Sequence, residues 1–154
     1  MATIKEIFLK EQVIPLFSQL VSEKKGNWGV MNAQQMVEHL ADAVKNASGK
    51  LLLPSLTEGE RLEKMRSFLM SDKPFKENTP NPMMPATGAA LRRPDMQSAI
   101  AKLQSELDYF FVVFQKNPLL KTKNAFFGEL DYQMNIQLLD KHFRHHLKQF
   151  GIDV

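Results

Sequence analysis

The spacing of hydrophobic residues along the chain predicts helices. The clearest pattern lies between Pro94 and Lys116, where hydrophobic residues recur at intervals that alternate between four and three: Met96, Ile100, Leu103, Leu107, Phe110, Phe111 and Phe114. This spacing places all of them on one face of a helix. Pro94 suits the first turn, and Asn117 with Pro118 ends the helix.

Two further long helices carry local start signals. Asn32 and Gln35 have the spacing of a capping box, and the hydrophobic period that follows continues through Val44 before it fades at residues 46–49. The last helix is predicted to begin with Asp131 as its N-cap and to run to Phe150. Gly151 then ends it.

The remaining segments are less regular. Pro15 interrupts a periodic run from Ile4 to Val21 and should kink or divide the first helix. Residues 57–60 read as a second capping box, which opens a short helix through Leu69. No stretch shows convincing strand alternation, so the pattern predicts an all-α fold.

Residues 71–95 form a long, proline-rich connection without a sustained period. One interpretation is a stiff surface connector, pinned to the core by Met83, Met84 and Leu91. The other is a partial lid that carries basic side chains toward an anionic ligand. These basic residues are Lys73, Lys76, Arg92 and Arg93.

Composition narrows the function classes. A chain of 154 residues with 44% hydrophobic content is suited to a single domain over residues 1–154. The absence of cysteine excludes disulfides and thiolate metal sites, and we expect a cytoplasmic protein with no membrane segment. The net charge of +3 is too small and too scattered to predict nucleic-acid binding.

Three of the four histidines stand in KHFRHHLKQFG, residues 141–151. His142 and His146 are four residues apart, so they share one helix face and can bind one cation, whereas His145 points elsewhere. His39 is the only other histidine and, on a facing helix, is the candidate third ligand. Two simpler explanations stay open: charged histidines are favoured at a helix C-terminus, and His39 could be a hydrogen-bonded, partly buried residue.

Two segments of the chain resemble the DinB/YfiT-like superfamily. They are residues 31–42, MNAQQMVEHLAD, and residues 126–151, FFGELDYQMNIQLLDKHFRHHLKQFG. Within this superfamily, the chain is particularly similar to a branch of domains of unknown function, whose sequences end with the pattern HxxHHxxQFG. The resemblance extends from Trp28 to Gly151. It implies a four-helix bundle with a long irregular connection between the second and third main helices, and a homodimer. It also implies a divalent metal held by His39, His142 and His146.

The resemblance implies two kinds of function. One is a metal-dependent enzyme, a hydrolase or a thiol S-transferase, that activates water or a low-molecular-weight thiol for attack on a small-molecule substrate. The other is a non-catalytic metal-binding module in stress response or protein interaction. Imidazole ligands suit zinc, nickel and iron alike, so the metal stays open.

Two polar residues flank His39 at a distance of one helical turn and are candidates to hold a ligand or the bound water. Gln35 lies before it and Asp42 after it. The simpler alternatives are that Gln35 completes the capping box and that Asp42 pairs on the helix surface with Lys45 or Lys50. No catalytic acid or base is assigned.

Overall fold

The computed structural model describes residues 1–79 and 88–154 of the chain. Within these ranges the protein is mostly helical, as predicted, and it also contains one two-stranded sheet. The elements in chain order are α1 (Ile4–Ile7), a π-helical stretch (Phe8–Gln12), α2 (Val13–Phe17), α3 (Ala33–Ala47), α4 (Gly59–Met70), α5 (Met96–Lys116), β1 (Thr122–Asn124), β2 (Gly128–Leu130) and α6 (Tyr132–Gln149). Among the described helices, none is both long enough and apolar enough to cross a membrane.

The predicted caps of the two helices that carry the histidines are confirmed. At the start of α3, the Asn32 side chain accepts a hydrogen bond from the backbone N–H of Gln35, and the Gln35 side chain accepts one from the N–H of Asn32, both at 2.8 Å. Asp131 caps α6 by accepting from the N–H of Met134 at 2.9 Å. Gly151 has a φ of 83° and follows the last turn, as expected for a helix stop.

Two predicted helix starts are wrong in detail. Helix α5 begins with Asp95 as its N-cap, which accepts from the N–H of Ser98 at 2.7 Å, so Pro94 lies just outside the helix. The capping box expected at residues 57–60 does not form either. Thr57 instead donates its hydroxyl to the carbonyl of Phe126, and Glu58 occupies the N-cap position without a side-chain cap.

The N-terminal helix is irregular just before Pro15, where a kink or a division was predicted. The chain is helical from Ile4 to Phe17, but it passes through the π-helical stretch Phe8–Gln12 shortly before the proline. Proline lacks an N–H and its ring collides with the carbonyl four residues earlier. A widened turn at this point relieves that collision.

The short hairpin contradicts the expectation of no strands. Strands β1 and β2 pair antiparallel, with Thr122 opposite Leu130. The turn between them is built by Asn124, whose side-chain oxygen accepts from the N–H groups of Phe126 and Phe127 at 2.8 and 3.1 Å. Strands of three residues are too short to show alternation, which explains why the sequence did not reveal them.

Two hydrophobic clusters hold the elements together. The larger is formed by the N-terminal helical segment, α3, α5 and α6 and includes Phe17, Leu40, Phe110 and Phe143. The smaller consists of Leu69, Phe127, Leu130 and Leu138, with Phe75 packed against it. Helix α4 and the hairpin therefore position Phe75, which lies beside α6.

The connection at residues 71–95 is fastened to the protein where it is described. Leu91 is exposed, so the expectation that it pins the connection to the core is wrong, and Met83 and Met84 lie outside the described residues. Residues 88–93, here called the strap, bind α3 through hydrogen bonds instead. Glu38 accepts from the backbone N–H groups of Arg92 and Arg93 at 2.8 and 3.3 Å.

Candidate metal centre

His39, His142 and His146 come together between α3 and α6. The Nε2 atom of His142 lies 3.0 Å from Nε2 of His39 and 3.0 Å from Nε2 of His146. One ligand nitrogen from each residue lies within 4.8 Å of the others. The structure thus brings all three predicted ligands to one point, and this arrangement is able to hold a metal ion.

The chemistry of these nitrogens fits a bound cation. A neutral imidazole nitrogen either carries a proton and donates, or carries a lone pair and accepts. Nε2 of His142 lies 3.0 Å from two other nitrogens, but a single proton on it can point along only one of these two contacts. The other contact is then left without a well-aligned donor. A metal ion that accepts all three lone pairs satisfies the whole cluster.

The spacing of the nitrogens is also compatible with coordination. With metal–nitrogen bonds of about 2.0–2.1 Å, two ligands lie about 3.3 Å apart around a tetrahedral ion and about 2.9 Å apart in adjacent octahedral positions. The two observed separations of 3.0 Å, from His142 to His39 and to His146, lie between these distances. These two separations are therefore compatible with coordination of one ion by His142 and each of its neighbours.

Burial keeps the three imidazoles neutral. It lowers the pKa of His39 to about 4, although the nearby Asp42 carboxylate acts in the opposite direction. Burial also lowers the pKa of His142 and of His146 well below the ordinary value, and the neighbouring histidines add to this effect. Neutral imidazole is the form that binds metals, so the site is ready to bind near pH 7.

Gln149 contacts the cluster and was not singled out from the sequence. Its Oε1 lies 2.7 Å from Nδ1 of His146, and its Nε2 donates to the carbonyl of Trp28 at 2.8 Å. Because the amide nitrogen is engaged by Trp28, the oxygen faces the imidazole and accepts its N–H. The available signal was the three-residue spacing of His146 and Gln149, which places both on one helix face.

The two polar residues proposed from the sequence to support the ligands have other partners in the described residues. Gln35 completes the capping box and donates to the carbonyl of Ala89 in the strap at 2.9 Å. Asp42 forms a surface ion pair at 2.8 Å, but its partner is Arg92 rather than either of the lysines expected. Lys50 pairs with Glu106 at 2.7 Å.

His145 lies outside the cluster of ligands, as predicted. Its ring is half-buried between Trp28, at a centroid distance of 5.6 Å, and Phe75, at 5.8 Å. Burial lowers its pKa. His145 therefore packs beside the candidate metal centre and is not one of its ligands.

A groove of about 700 Å³ lies next to the cluster, between residues 71–77 and the outer face of α6. Phe75 and His145 both line it, and Phe75 also packs against His142 at a ring-centroid distance of 5.8 Å. Lys73 and Lys76 line this groove, whereas Arg92 faces Asp42 in a separate small cavity. The basic residues of the connection thus serve two different surfaces.

Comparisons with known proteins add no assignment. No protein-family model matches the chain, and no curated protein and no solved structure matches it. The resemblance to DinB/YfiT-like proteins stays a prediction from the quoted motifs. The geometry of the histidine cluster therefore carries the functional argument.

Proposed function

We propose that this protein is a metal-dependent enzyme in which His39, His142 and His146 hold one divalent transition metal. The proposed metal is zinc, nickel or iron, and the proposed reaction is hydrolysis or transfer to a low-molecular-weight thiol. The observation that carries this proposal is the convergence of three Nε2 atoms, with His142 at 3.0 Å from both other ligands. The homodimer and the DinB-like fold are part of the same proposal.

The surroundings of the cluster support a site that small molecules can reach. His39 and His142 are half-buried rather than fully enclosed. The volume of the adjacent groove lies within the range of about 300–1,000 Å³ that small-molecule sites occupy. Six basic and four acidic side chains line the groove, with Lys73 and Lys76 among the basic ones, and this small excess favours a substrate that carries a negative charge.

Each residue of the site has a distinct role in this proposal. The three histidines bind the metal through Nε2, and Gln149 holds the proton of His146 on Nδ1. When bound, a divalent metal with three histidine ligands and one open position lowers the pKa of water or of a thiol toward neutrality. Phe75 separates the cluster from the groove and excludes bulk water from that side.

One observation favours the alternative, a metal-binding module without catalysis. The groove is lined by Phe75 and His145 but by none of the three proposed ligands, so it does not open directly onto the cluster. Structural metal sites are closed, whereas catalytic sites keep one position open. The accessibility of that position therefore distinguishes the two functions.

The first experiment measures metal content by plasma mass spectrometry on tag-free protein purified without added metal. About one equivalent of a transition metal per chain is the expected result. Protein that is empty and also fails to bind added zinc or nickel in equilibrium dialysis would contradict the metal centre. A His145→Ala variant serves as the control, because His145 lies outside the cluster.

The second experiment tests whether a coordination position is open. Cobalt(II) is loaded in place of the native metal, and its visible spectrum is recorded while cysteamine or azide is added. A saturable spectral change is expected for an enzyme. A spectrum that does not change when either small ligand is added would indicate a closed site and would favour the non-catalytic module.

A further inference from the structure

The turn formed by residues 26–29 encloses the side chain of Gln149. The Asn27 N–H donates to the Gln149 carbonyl at 2.7 Å, and the Trp28 carbonyl accepts from the Gln149 side-chain Nε2 at 2.8 Å. Gln149 itself is 3% exposed. The turn therefore binds both the backbone and the side chain of this one residue.

The turn approaches Gln149 so closely that glycine is required on both sides. A Cβ at Gly26 would lie 2.9 Å from Cγ of Gln149, and a Cβ at Gly29 would lie 2.9 Å from its Nε2. Gly29 also has a φ of 79°, a conformation that other residues rarely adopt. The amide of Gln149 is thus confined by contacts as well as by hydrogen bonds.

We propose that Gln149 is a positioning residue that the 26–29 turn locks in one orientation, and that it fixes His146 in the tautomer whose Nε2 lone pair faces the metal. This inference rests on the proposed metal centre. With Nε2 of Gln149 bound to Trp28, its Oε1 accepts the Nδ1 proton of His146 at 2.7 Å. The proton is then absent from Nε2, the nitrogen that lies 3.0 Å from His142.

The turn also links the two helices that supply ligands. An antiparallel bridge between Lys25 and Asn32 closes the turn, and Asn32 is the N-cap of α3, which carries His39. Gln149 is the last residue of α6, which carries the other two ligands. The same turn therefore sets both the tautomer of His146 and the approach of α3 to the end of α6.

The test compares zinc affinity at pH 8 and the tautomer of His146 in metal-free protein, read from its ¹⁵N chemical shifts. In Gln149→Leu we expect zinc affinity to fall by about 10- to 100-fold, as is typical when the outer partner of a ligand is removed. The Nδ1–H tautomer should no longer dominate. Gln149→Glu keeps an acceptor and should restore most of the affinity.

Two control variants separate positioning from general destabilisation. Gln137→Leu removes another half-buried glutamine of α6, whose hydrogen bonds go to Lys5 and Ser71, and should leave zinc affinity unchanged. Gly29→Ala and Gly59→Ala both place alanine at a positive φ, but a Cβ at Gly59 meets no atom within 4 Å. Only Gly29→Ala should therefore weaken zinc binding.

The outcomes distinguish this inference from the proposed function. An unchanged His146 tautomer and unchanged zinc affinity in Gln149→Leu would overturn the positioning role, even if wild-type protein binds zinc. Wild-type protein that binds no zinc would overturn the metal centre, while the tautomer measurement would still report on Gln149. If Gln149→Leu does not fold, the comparison of Gly29→Ala with Gly59→Ala decides.

Discussion

The ring of Phe75 stands edge-on to the ring of His142, with centroids 5.8 Å apart and planes inclined by 75°. Phe75 also stacks on Phe68 and Phe127 of the smaller hydrophobic cluster. A residue of the proline-rich connection is thereby held against a proposed metal ligand. Phe75 therefore separates the groove from the candidate metal centre.

Replacing Phe75 with alanine should expose the histidine cluster to the groove. We expect zinc to leave the Phe75→Ala protein faster when a chelator such as EDTA is added in excess, because solvent and chelator gain access to the cluster. The stability loss should be about 2 kcal/mol, less than the roughly 3–5 kcal/mol for a fully buried phenylalanine. Stopped-flow absorbance with a zinc-responsive dye measures the release rate.

The matched control is Phe126→Ala, which removes a half-buried ring packed on the same cluster. It should lower stability to a similar extent without changing zinc release. If zinc release accelerated equally in both variants, loosening of the smaller hydrophobic cluster, rather than loss of the Phe75 ring beside the histidines, would control that release.

Removal of a single ligand should abolish tight metal binding. We expect His39→Ala, His142→Ala and His146→Ala each to reduce zinc affinity by more than the about 10- to 100-fold typical of outer partners. Zinc at 100 times its dissociation constant stabilises a folded protein by about 2.7 kcal/mol, so calorimetry should show this increase in wild type and not in these variants. His145→Ala should keep the stabilisation by zinc. An equal loss of zinc affinity in all four variants would refute the ligand assignment.

The features predicted correctly from the sequence are those with local causes. The capping box of Asn32 and Gln35 and the N-cap at Asp131 depend on side chains that reach only three residues along the chain. The pairing of His142 with His146 follows from the period of a single helix. The place of His39 beside them required a family resemblance as well, since helical period alone does not show which helices meet.

The features that were missed depend on contacts between distant segments. Thr57 has the sequence of a capping residue, yet its hydroxyl binds the hairpin at Phe126, 69 residues away. Gln149 supports His146 only because the carbonyl of Trp28, 121 residues earlier, fixes its amide. Such pairings are decided by packing, and neither composition nor periodicity contains them.

Acidification should destabilise the metal-free protein. The pKa of His39 is about 4 in the folded protein and 6.5 when unperturbed, so between these pH values the unfolded chain binds a proton that the folded protein does not. Stability therefore falls as pH decreases through this window. From pH 7 to pH 5 the loss attributable to His39 should be about 2 kcal/mol, measured by urea unfolding.

His39→Gln provides the control for this pH dependence, because glutamine is similar in size and does not titrate. Its unfolding free energy should vary less between pH 7 and pH 5 than that of wild type. His142 and His146 have lowered pKa values too, so part of the slope should persist. Wild-type protein that becomes more stable toward pH 5 would contradict the burial of neutral histidines.

Two carboxylates of α3 contact the strap, and they should differ in their contribution to stability. Glu38 is 6% exposed and accepts from the backbone N–H groups of Arg92 and Arg93 and from the side-chain amide of Gln34, so Glu38→Ala removes the acceptor of three donors and should cost about 2–3 kcal/mol. Asp42 pairs with the half-exposed Arg92 side chain, and Asp42→Asn should cost less than about 1 kcal/mol. Urea unfolding gives both values, and faster hydrogen exchange of the Arg92 and Arg93 amides in Glu38→Ala alone would locate the effect in the strap. If Asp42→Asn proves the more costly change, the surface ion pair rather than the buried carboxylate holds the strap against α3.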